Sequence, residues 1–573
     1  MSHDHPHDHP HPHDHSHPHG HAHEGALPEA LDVRVPDAEL PPRALGRRRF
    51  LQSAGLLGAS AAAMTGLGVA GAAPAAAATG TVSRSHRPPL GGFQWLAGDH
   101  HTHTQYSSDG RYRVLDQVQH ANAYGLDWLV ITDHGSAQHT RIGVERVNPD
   151  IQQARALVKD TLTFQGLEWN IPAAEHGTVF VHPGANEVAV LKQFELDYDG
   201  SGAGRGASTP ENEALAQRGL VFLAEAKSSK RVQDALMLAN HPARRGVDSP
   251  HEIRGWRDAA DRIAIGMEGA PGHQAAGLPT PTGPGAGRGF YDNGPSAASF
   301  PGYPLESYRT YGGFDWMTAT VGGLWDSLLA EGKPWWITAN SDNHVVYGDT
   351  SQRGPGSDFA TNGRYEDPVY DPRGPQLTNG DYWPGFYSRT HVGSVDFSYQ
   401  GVMDGLRAGR VWVDHGGLLE SLDVRLRAGG KEVPLGGVLT APRGSALTLV
   451  VTATPAVRPN WSEFVPKLAR VDLIQGAITG PAADRDALRA PRTRVRGSFD
   501  ARGATGPTTI TRSLGRLDEP TYVRLRGSDG NRYATGLYGA SVDPSGPALD
   551  VVGDADPWLD LWFYTNPIFA YPV

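Results

Sequence analysis

Histidine and carboxylate residues recur in short clusters between residues 99 and 344, at spacings typical of metal ligands. The first cluster lies in Gly98–Gly110, where His101 and His103 follow a short apolar run from Phe93 to Ala97. Side chains at positions i and i+2 of a strand share one face. Two imidazoles at a strand end can therefore converge on one divalent ion, at about 2.0–2.1 Å per bond. Asp109 follows in a Ser/Gly turn, from which its carboxylate can fold back towards the same point.

An isolated His-x-His pair is more often a solvated strand end than a metal site, but this pair is accompanied by further clusters. Most of them follow an apolar run that is typical of a strand, where an α/β barrel or an open sheet exposes its functional residues. These clusters are Thr132-Asp133-His134, Gly166-Leu167-Glu168, Glu175-His176, Asn240-His241-Pro242 and Ser341-Asp342-Asn343-His344. Together the clusters supply more donors than one ion requires, which indicates a site for two or three ions.

The order of three elements, His-x-His…Ser-Asp-Gly, Thr-Asp-His and Ser-Asp-x-His, resembles that of the PHP family of metal-dependent phosphoesterases, named for polymerase and histidinol phosphatase. The resemblance covers residues 93 to 415. It implies a distorted seven-stranded (β/α) barrel, a strand number that the periodicity alone does not give. It also implies hydrolysis of a small-molecule phosphate ester at a site holding two or three divalent ions of zinc, manganese or iron.

The same resemblance assigns nine ligands to three ions. The sets are His101, His103, Glu168 and Asp342 for the first ion, Glu168, His176 and His241 for the second, and Asp109, His134 and His344 for the third. Asp342, Glu168 and His134 are the ligands expected to act most directly in catalysis. His182 is the alternative to His176 at the second ion, and the glycine that follows His176 favours His176.

Such a cluster suggests hydrolysis by an activated water. Ions about 3.5–4 Å apart lower the pKa of a shared water from about 15.7 towards about 7, and the hydroxide then attacks phosphorus in line. No Gly-x-Ser-x-Gly elbow occurs, so no serine nucleophile is indicated. Asp99, His100 and Asp133 adjoin ligands and are predicted either to orient them or to be solvated strand ends. Arg244 and Arg389 are predicted to bind substrate phosphate, with plain surface arginines as the alternative.

Composition narrows the class of protein. The formal net charge of −11, and the lack of a basic run interleaved with aromatic residues, argue against nucleic-acid binding. Because the chain has no cysteine, any metal must be held by nitrogen and oxygen, which favours zinc, manganese or iron. With 573 residues the chain is too long for one ordinary core, so two folded domains with appendages are expected.

Helix-like and strand-like segments alternate up to residue 413, which predicts parallel strands with helical crossovers closed into a barrel. The run Leu126–Thr132 is a predicted buried strand, and Trp316–Ala330 a predicted long helix. Long Gly- and Pro-rich interruptions occur at 196–215, 271–313 and 347–392. The last of them directly follows a ligand cluster, and is predicted to be either a wall of the substrate pocket or a surface insertion.

After residue 419 short alternating strands with turn signals predict a small all-β, sandwich-like domain, in which no metal spacing occurs. The aromatic tail 558–569 is predicted to pack across domains, because so many aromatic side chains are unfavourable in solvent.

If cleavage falls near Ala78, the first 78 residues take no part in the mature chemistry, and their His-rich tract is either a loose binder of divalent metal or a solvated tail. Residues 3–23 contain eleven of the 26 histidines in a tract that cannot form a core and is expected to be disordered. Arg47-Arg48-Arg49, followed by an Ala/Gly-rich segment up to Ala78, resembles a twin-arginine export signal. A membrane anchor is the weaker alternative, because alanine and glycine make a poor hydrophobic span. The predicted product is secreted or lies on the periplasmic or cell-wall side, with the twin-arginine export machinery as a partner and no stable membrane insertion after cleavage.

The sequence thus predicts four segments: 1–46, a His-rich region; 47–78, the export signal; 79–418, the metallohydrolase barrel; and 419–573, the β-domain with its aromatic tail. Two other functions stay open. The same site is suited to carboxylic or carbamate esters or amides, because an activated hydroxide also attacks a carbonyl carbon. Alternatively, the chain is a non-catalytic surface protein that binds metal or glycans through its β-domain.

Overall fold

The structure is a computed structural model that describes residues 92–135, 139, 143–291, 294–530 and 556–573. The predicted export signal and the His-rich tract lie outside these residues. All described residues belong to one compact unit, Gly68–Val573. The helices in this part of the chain, three of them only one or two turns long, are α1 Val114–Ala123, α2 Val144–Leu157, α3 Glu187–Tyr198, α4 Pro210–Ser228, α5 Pro250–Ala259, α6 Trp316–Ala319, α7 Leu324–Ala330, α8 Phe359–Asn362 and α9 Tyr399–Arg407.

The strands up to residue 415 carry the clusters that the sequence singled out. They are β1 Gln94–Asp99, β2 Trp128–Ile131, β3 Leu162–Asn170, β4 His176–Val181, β5 Ala235–Ala239, β6 Ala264–Ala270, β7 Thr310–Tyr311, β8 Phe314–Asp315, β9 Trp336–Ala339, β10 Ser351–Gln352, β11 Val369–Tyr370, β12 Ser388–Ser394 and β13 Val411–His415. The strands that follow are β14 Leu419–Ala428, β15 Lys431–Pro434, β16 Val438–Ala441, β17 Ala446–Pro455, β18 Arg470–Ala477, β19 Arg494–Asp500, β20 Thr508–Arg516, β21 Thr521–Ser528, β22 Trp562–Thr565 and β23 Ile568–Pro572.

The metal-ligand clusters lie along one path of hydrogen-bonded strands, in the order β13-β12-β1-β2-β3-β4-β5-β6-β9. β1, β2 and β3 are parallel, as are β5, β6 and β9. β2, with the sequence Trp-Leu-Val-Ile, is buried at every position, as expected of a strand covered on both faces. The helices cover the outside, and α2 buries Val144, Val147, Ile151 and Ala154 at helical spacing.

The prediction of an all-parallel barrel is wrong at two strands. β4 is antiparallel to both β3 and β5, and β12 is antiparallel to β1. β3 and β4 are joined by only five residues, 171–175, and a parallel pair needs a crossover of a dozen residues or more. The short connection therefore forces an antiparallel hairpin, and Glu168 and His176 lie on its two strands.

Side chains bridge the gap between β9 and the other end of this path. Thr390 of β12 donates through Oγ1 to the Ala339 carbonyl at 2.8 Å and accepts from the Ala339 amide at 2.9 Å. Asn566, between β22 and β23, accepts from the Ile337 amide at 2.8 Å. The strands thus enclose a common core, although side chains rather than a backbone ladder close this seam.

The strands after residue 419 form a sandwich of two sheets. One is the antiparallel sheet β15-β14-β17-β20, and the other contains β16, β23, β21, β18 and β19. Alternate residues of β14 and β17 point inwards. Leu426, Leu449 and Val451 pack in one apolar cluster with Leu525 and Phe563 of the opposite sheet.

The second sheet of the sandwich is continuous with the strands of the ligand clusters. β22 pairs with β13 on one side and with β21 on the other. Trp562, Tyr564 and Phe569 share an apolar core with Trp335 and Val413. The aromatic tail is therefore buried inside the fold. The boundary between two domains at residue 418 stays a prediction.

No helix in the described ranges combines the length and the apolarity needed to cross a membrane.

Candidate metal centre

The side chains of His101 and His103 converge just beyond the end of β1. Their Nε2 atoms lie 3.0 Å apart, and both rings are fully buried. Nδ1 of His101 lies 2.6 Å from Oε1 of Glu268, and Nδ1 of His103 lies 2.8 Å from Oγ of Ser107. Each ring therefore has its Nδ1 engaged by a neighbour, and directs Nε2 towards the other ring.

The hydrogen-bond partners determine which nitrogen carries the proton. An ionised carboxylate only accepts, so the Glu268 side chain keeps the His101 proton on Nδ1. The Ser107 hydroxyl donates to Asp133 at 3.0 Å, and therefore accepts from Nδ1 of His103. Burial, followed by the charges of neighbouring histidines, lowers the pKa of His103 to about 3. The Nε2 atom of His103 thus presents a lone pair, as a metal ligand must.

Glu168, at the end of β3, is the centre of the cluster. Its Oε1 lies 3.0 Å from Nε2 of His101 and 3.1 Å from Nδ1 of His176, and its Oε2 lies 2.8 Å from Nδ1 of His134. Nε2 of His241 lies 3.3 Å from Oε1. Only 1% of the Glu168 side chain is exposed. A carboxylate with histidines on both oxygens is suited to bridging two ions.

Asp342 completes the buried group. Its Oδ1 lies 3.0 Å from Nε2 of His101 and 3.2 Å from Nε2 of His103. Burial opposes ionisation, but the charges of His101 and His273 hold the pKa of Asp342 well below its usual range. His241 and Asp342 both have a positive φ, of 29° and 46°. Such backbone strain in non-glycine residues concentrates at functional sites.

A third group of donors lies beside the first two. Oδ2 of Asp109 lies 2.9 Å from Nε2 of His134, and Oδ1 lies 3.4 Å from Nε2 of His344. The rings of His103 and His344 stack with centroids 3.8 Å apart. Burial opposes the charge of Asp109, yet the nearby histidines hold its pKa below the ordinary value. Asp109 is also the most exposed of the nine predicted ligands, with 50% of its side chain accessible.

These donors fit divalent metal ions. Four sets have one ligand atom per residue within 4.8 Å of one another: His103, Asp109, His134 and His344; His101, His103 and Asp342; His134, Glu168 and His176; and His273, Asp342 and His344. Oε2 of Glu168, Oδ1 of Asp342 and Nδ1 of His241 are buried and make no well-aligned hydrogen bond, although histidine nitrogens lie close to the two carboxylate oxygens. A buried polar atom without a partner is costly, and a cation removes that cost for the two carboxylate oxygens. The all-nitrogen-and-oxygen donor set suits zinc, manganese or iron.

The residues predicted to support the ligands lie at different distances from them. Asp99 accepts from the amides of His101 and Ser341, each at 2.9 Å. Asp133 accepts from Ser107, the residue that holds His103. The His100 ring instead lies between Thr178, at 3.1 Å, and Thr338, at 2.8 Å, and so is a step further from the ions.

Of the two candidate histidines on β4, the structure brings His176 to the cluster. His182 lies beyond the other end of the strand, where its Nδ1 approaches the Pro183 carbonyl at 2.9 Å and its ring contacts Tyr399.

The two predicted phosphate-binding arginines differ. Arg389 pairs with Asp414 in two contacts, of 2.7 and 3.1 Å, across the ladder between β12 and β13. A phosphate contact by Arg389 stays a prediction, and this buried carboxylate already engages its guanidinium. Arg244 instead lines a cavity of about 450 Å³ with Arg245, Phe290, Gly294 and Ser296. The Phe290 ring packs on His273, with centroids 5.2 Å apart.

Three residues at the centre were not predicted. Glu268 accepts from the His241 amide at 2.7 Å, in addition to holding His101. His273 reaches Oδ2 of Asp342 with Nε2, at 2.8 Å, and Oδ1 of Asp381 with Nδ1, at 2.5 Å. Glu268 does carry a signal, since it follows the apolar run 263–267. His273 and Asp381 lie in Gly- and Pro-rich interruptions, where the sequence offers no periodicity.

Comparison with known proteins gives one family match. A family model of the PHP domain matches residues 99–200. A two-domain protein from Bacteroides vulgatus ATCC 8482, described as containing a predicted PHP-like metal-dependent phosphoesterase, is 16% identical over 81% of this chain and 96% of its own, with a TM-score of 0.29. An amidohydrolase from Chromobacterium violaceum is also 16% identical, over 30% of this chain and 76% of its own, with a TM-score of 0.17. No curated protein matches the chain.

Proposed function

We propose that this protein is a metal-dependent phosphoesterase that hydrolyses a small phosphate ester at the cluster around Glu168, and the PHP-domain match over residues 99–200 supports this. The observation that carries the proposal is the convergence of His101 and His103, whose Nε2 atoms face each other at 3.0 Å beside two buried carboxylates. A bound cation would satisfy the lone pairs that these four groups direct towards one another.

The carboxylates and the histidines of the cluster have different roles. Glu168 and Asp342 provide negative charge at the centre, and histidines from five segments of the chain would provide nitrogen donors to a bound ion. Bound divalent ions supply Lewis acidity towards phosphoryl oxygens and acidify a water molecule. The burial of the donors excludes bulk water, which strengthens each electrostatic contact.

The substrate is proposed to enter through the cavity beside Arg244. Arg244 follows His241 by three residues, and its amide donates to the His241 carbonyl at 3.1 Å. Although burial works against its charge, Glu175, Asp342 and Glu168 raise the pKa of Arg244, so it stays cationic. A guanidinium there is suited to a phosphoryl oxygen or to an anionic group of the ester. The Phe290 ring provides an apolar wall for the organic part.

His273 adds positive charge on the Phe290 side of the cavity. Burial alone would discharge the ring, but Asp342 and Asp381 raise its pKa to about 10. The ring therefore holds protons on both nitrogens at neutral pH, with Nε2–H donating to Asp342. This donation fixes the orientation of the Asp342 carboxylate.

The test compares three substrates with one leaving group. The mature protein, loaded with manganese or zinc, is assayed with p-nitrophenyl phosphate, bis-p-nitrophenyl phosphate and p-nitrophenyl acetate. We expect hydrolysis of a phosphate substrate and two or three bound ions. Activity on the acetate alone would instead support a carboxylic ester hydrolase, and a protein that binds no ions would support the non-catalytic alternative.

Two histidine variants locate the activity. His103→Ala is expected to lower phosphate hydrolysis by at least about 100-fold, because it removes a donor from the buried group. His182→Ala is the matched control, since this histidine lies at the far end of β4. Equal activity of the two variants would place the reaction elsewhere.

We further propose that the protein is exported by the twin-arginine route and acts outside the cytoplasm. The support is the Arg47-Arg48-Arg49 motif before an Ala/Gly-rich segment. Replacing Arg48 and Arg49 by lysine is expected to retain the protein in the cytoplasm, and unchanged export would refute the assignment.

A further inference from the structure

The segment between His344 and β12, residues 345–387, is called the long insertion here. It contains only β10, α8 and β11, and it touches the metal centre at two places. One place is the loop that carries Asp109, and the other is His344, with a link through His273 to Asp342.

The first contact holds the loop that carries Asp109. Tyr365 and Gln105 exchange two hydrogen bonds of 2.8 Å, from the Tyr365 amide to the Gln105 carbonyl and from the Gln105 side-chain amide to the Tyr365 carbonyl. The Tyr365 hydroxyl donates to the Ser108 carbonyl. Arg353 donates to the carbonyls of Ser108, at 3.3 Å, and of Gly110, at 3.2 Å. The carbonyl groups on both sides of Asp109 are thus held by the long insertion.

Arg353 and Tyr365 also support each other. The guanidinium of Arg353 lies over the Tyr365 ring, 3.7 Å from its centroid. A cation stacked on an aromatic face is fixed in direction, so its donors stay aimed at the two carbonyls. The pair therefore acts as one clamp on the Asp109 loop.

The second contact holds His344. Oδ2 of Asp381 accepts from the amides of His344, at 2.6 Å, and of Val345, at 2.8 Å. Its Oδ1 binds Nδ1 of His273, whose Nε2 reaches Asp342. One carboxylate of the long insertion thereby fixes the backbone of one ligand and, through His273, the side chain of another.

The remaining ligands are supported mainly from strands and strand ends. Glu268, on β6, holds His101 and the backbone of His241. Asn240, next to the end of β5, donates to Oε1 of Glu168 at 3.0 Å. Glu168 itself is buried on β3, whereas half of the Asp109 side chain is exposed in a loop. Asp109 is therefore the ligand whose position depends most on contacts from outside the barrel.

We propose that the long insertion closes the third metal position: Arg353 and Tyr365 position Asp109, and Asp381 positions His344, so that a third ion binds with full affinity only while this segment is docked. The inference rests on the proposed metal centre and adds to it a division between two ions held by the barrel and one held by the insertion. Loss of such supporting contacts lowers metal affinity by about 10- to 100-fold.

The experiment titrates the metal-free protein with manganese or zinc alone and counts bound ions by mass spectrometry of the metal after desalting. The variants are Arg353→Met with Tyr365→Phe, and Tyr365→Phe by itself in case the double variant fails to fold. Arg373→Met and Tyr370→Phe are matched controls, because both side chains lie in the same insertion, Arg373 pairs with Asp371, and Tyr370 is exposed. Thermal unfolding of each metal-free protein checks the fold.

We expect three ions in the wild type and in the controls. In the clamp variants we expect two ions with unchanged affinity and a third weakened by about 10- to 100-fold. Three ions bound equally well by the folded clamp variants would overturn the proposal, as would a uniform loss of all ions. A wild type that binds two ions overturns it while leaving the proposed function intact, whereas a wild type that binds none overturns both.

Discussion

At the scale of single residues, the centre depends on groups that touch ligands rather than ions. Glu268 lies 2.6 Å from Nδ1 of His101 and accepts its proton there, so that Nε2 is the nitrogen that faces Glu168 and Asp342. A glutamine at position 268 retains the shape but loses the charge, and its amide can also present a donor to the ring.

Glu268→Gln is therefore expected to lower the affinity for the first ion by about 10- to 100-fold. The measurement is competition for the metal with a chromophoric chelator. Glu306→Gln, in the partly exposed turn Leu305–Tyr308, is the control. An unchanged affinity in Glu268→Gln would show that the tautomer of His101 is set by another group.

The nine predicted ligands are the part of the centre that the sequence reveals most directly. Eight of them lie at or near a strand end, because barrel strands deliver their functional residues at one edge, and Asp109 lies in the Ser-Asp-Gly motif. His273 and Asp381 escape such reasoning, since a pair 108 residues apart meets only through the folded backbone. Arg389 differs again: its proximity to ligands in the sequence suggests a phosphate contact, whereas its guanidinium pairs with Asp414 in the fold.

At the scale of elements, helix α5 begins with a capping box whose glutamate is buried, which disfavours the charged form of its carboxylate. Ser249 and Glu252 hydrogen-bond each other's backbone, and Glu252 is buried. Burial raises the pKa of Glu252 to about 7, although the bonds from Ser249 lower it. The ordinary value is about 4.3, so between about pH 4.3 and 7 the folded protein binds more protons than the unfolded chain. Its contribution to the free energy of unfolding therefore falls as the pH rises through this window.

Glu252→Gln removes that titration while keeping an oxygen to accept from Ser249. We expect it to raise the free energy of unfolding by about 1–3 kcal/mol at about pH 8, with little or no gain at about pH 4.5. Urea denaturation of both proteins at the two pH values gives the difference directly, since the other groups titrate alike in both. A gain that is the same at both pH values would contradict the assignment.

Two elements show why the apolar periodicity of the sequence predicts only part of the fold. The helix predicted for Trp316–Ala330 is broken into α6 and α7 around Gly322, which has a φ of 69°. Its apolar periodicity continues through the break, so periodicity alone did not reveal it. In the β3–β4 hairpin, the apolar run of each strand was predicted, but the direction of β4 follows from the length of the connection.

At the scale of the whole molecule, the aromatic tail, residues 558–569, connects the strands up to residue 415 with the strands after residue 419. Asn566 accepts from the Ile337 amide at 2.8 Å and donates to its carbonyl at 3.3 Å, both buried in β9. Arg288, from the interruption after β6, is buried against Asp560 at 2.9 Å. Removing either tail residue leaves a buried polar group without its partner.

Asn566→Ala is expected to lower the free energy of unfolding by about 1–3 kcal/mol, because both backbone groups of Ile337 lose this partner. Chemical denaturation followed by tryptophan fluorescence and by far-UV circular dichroism measures the change. We expect a single coincident transition, since β22 belongs to both halves. Asn362→Ala, at a partly exposed position at the end of α8, is the control, and two separate transitions would contradict this account.

The place of β22 also constrains how the protein is made. β13 and β21 leave the ribosome well before the strand that must lie between them, so their facing edges stay unpaired while the rest of the chain is synthesised. The large sheet can therefore be completed only after β22 itself has been synthesised. Until β22 arrives, the edges of β13 and β21 that it covers present unpaired backbone donors and acceptors, as edge strands do.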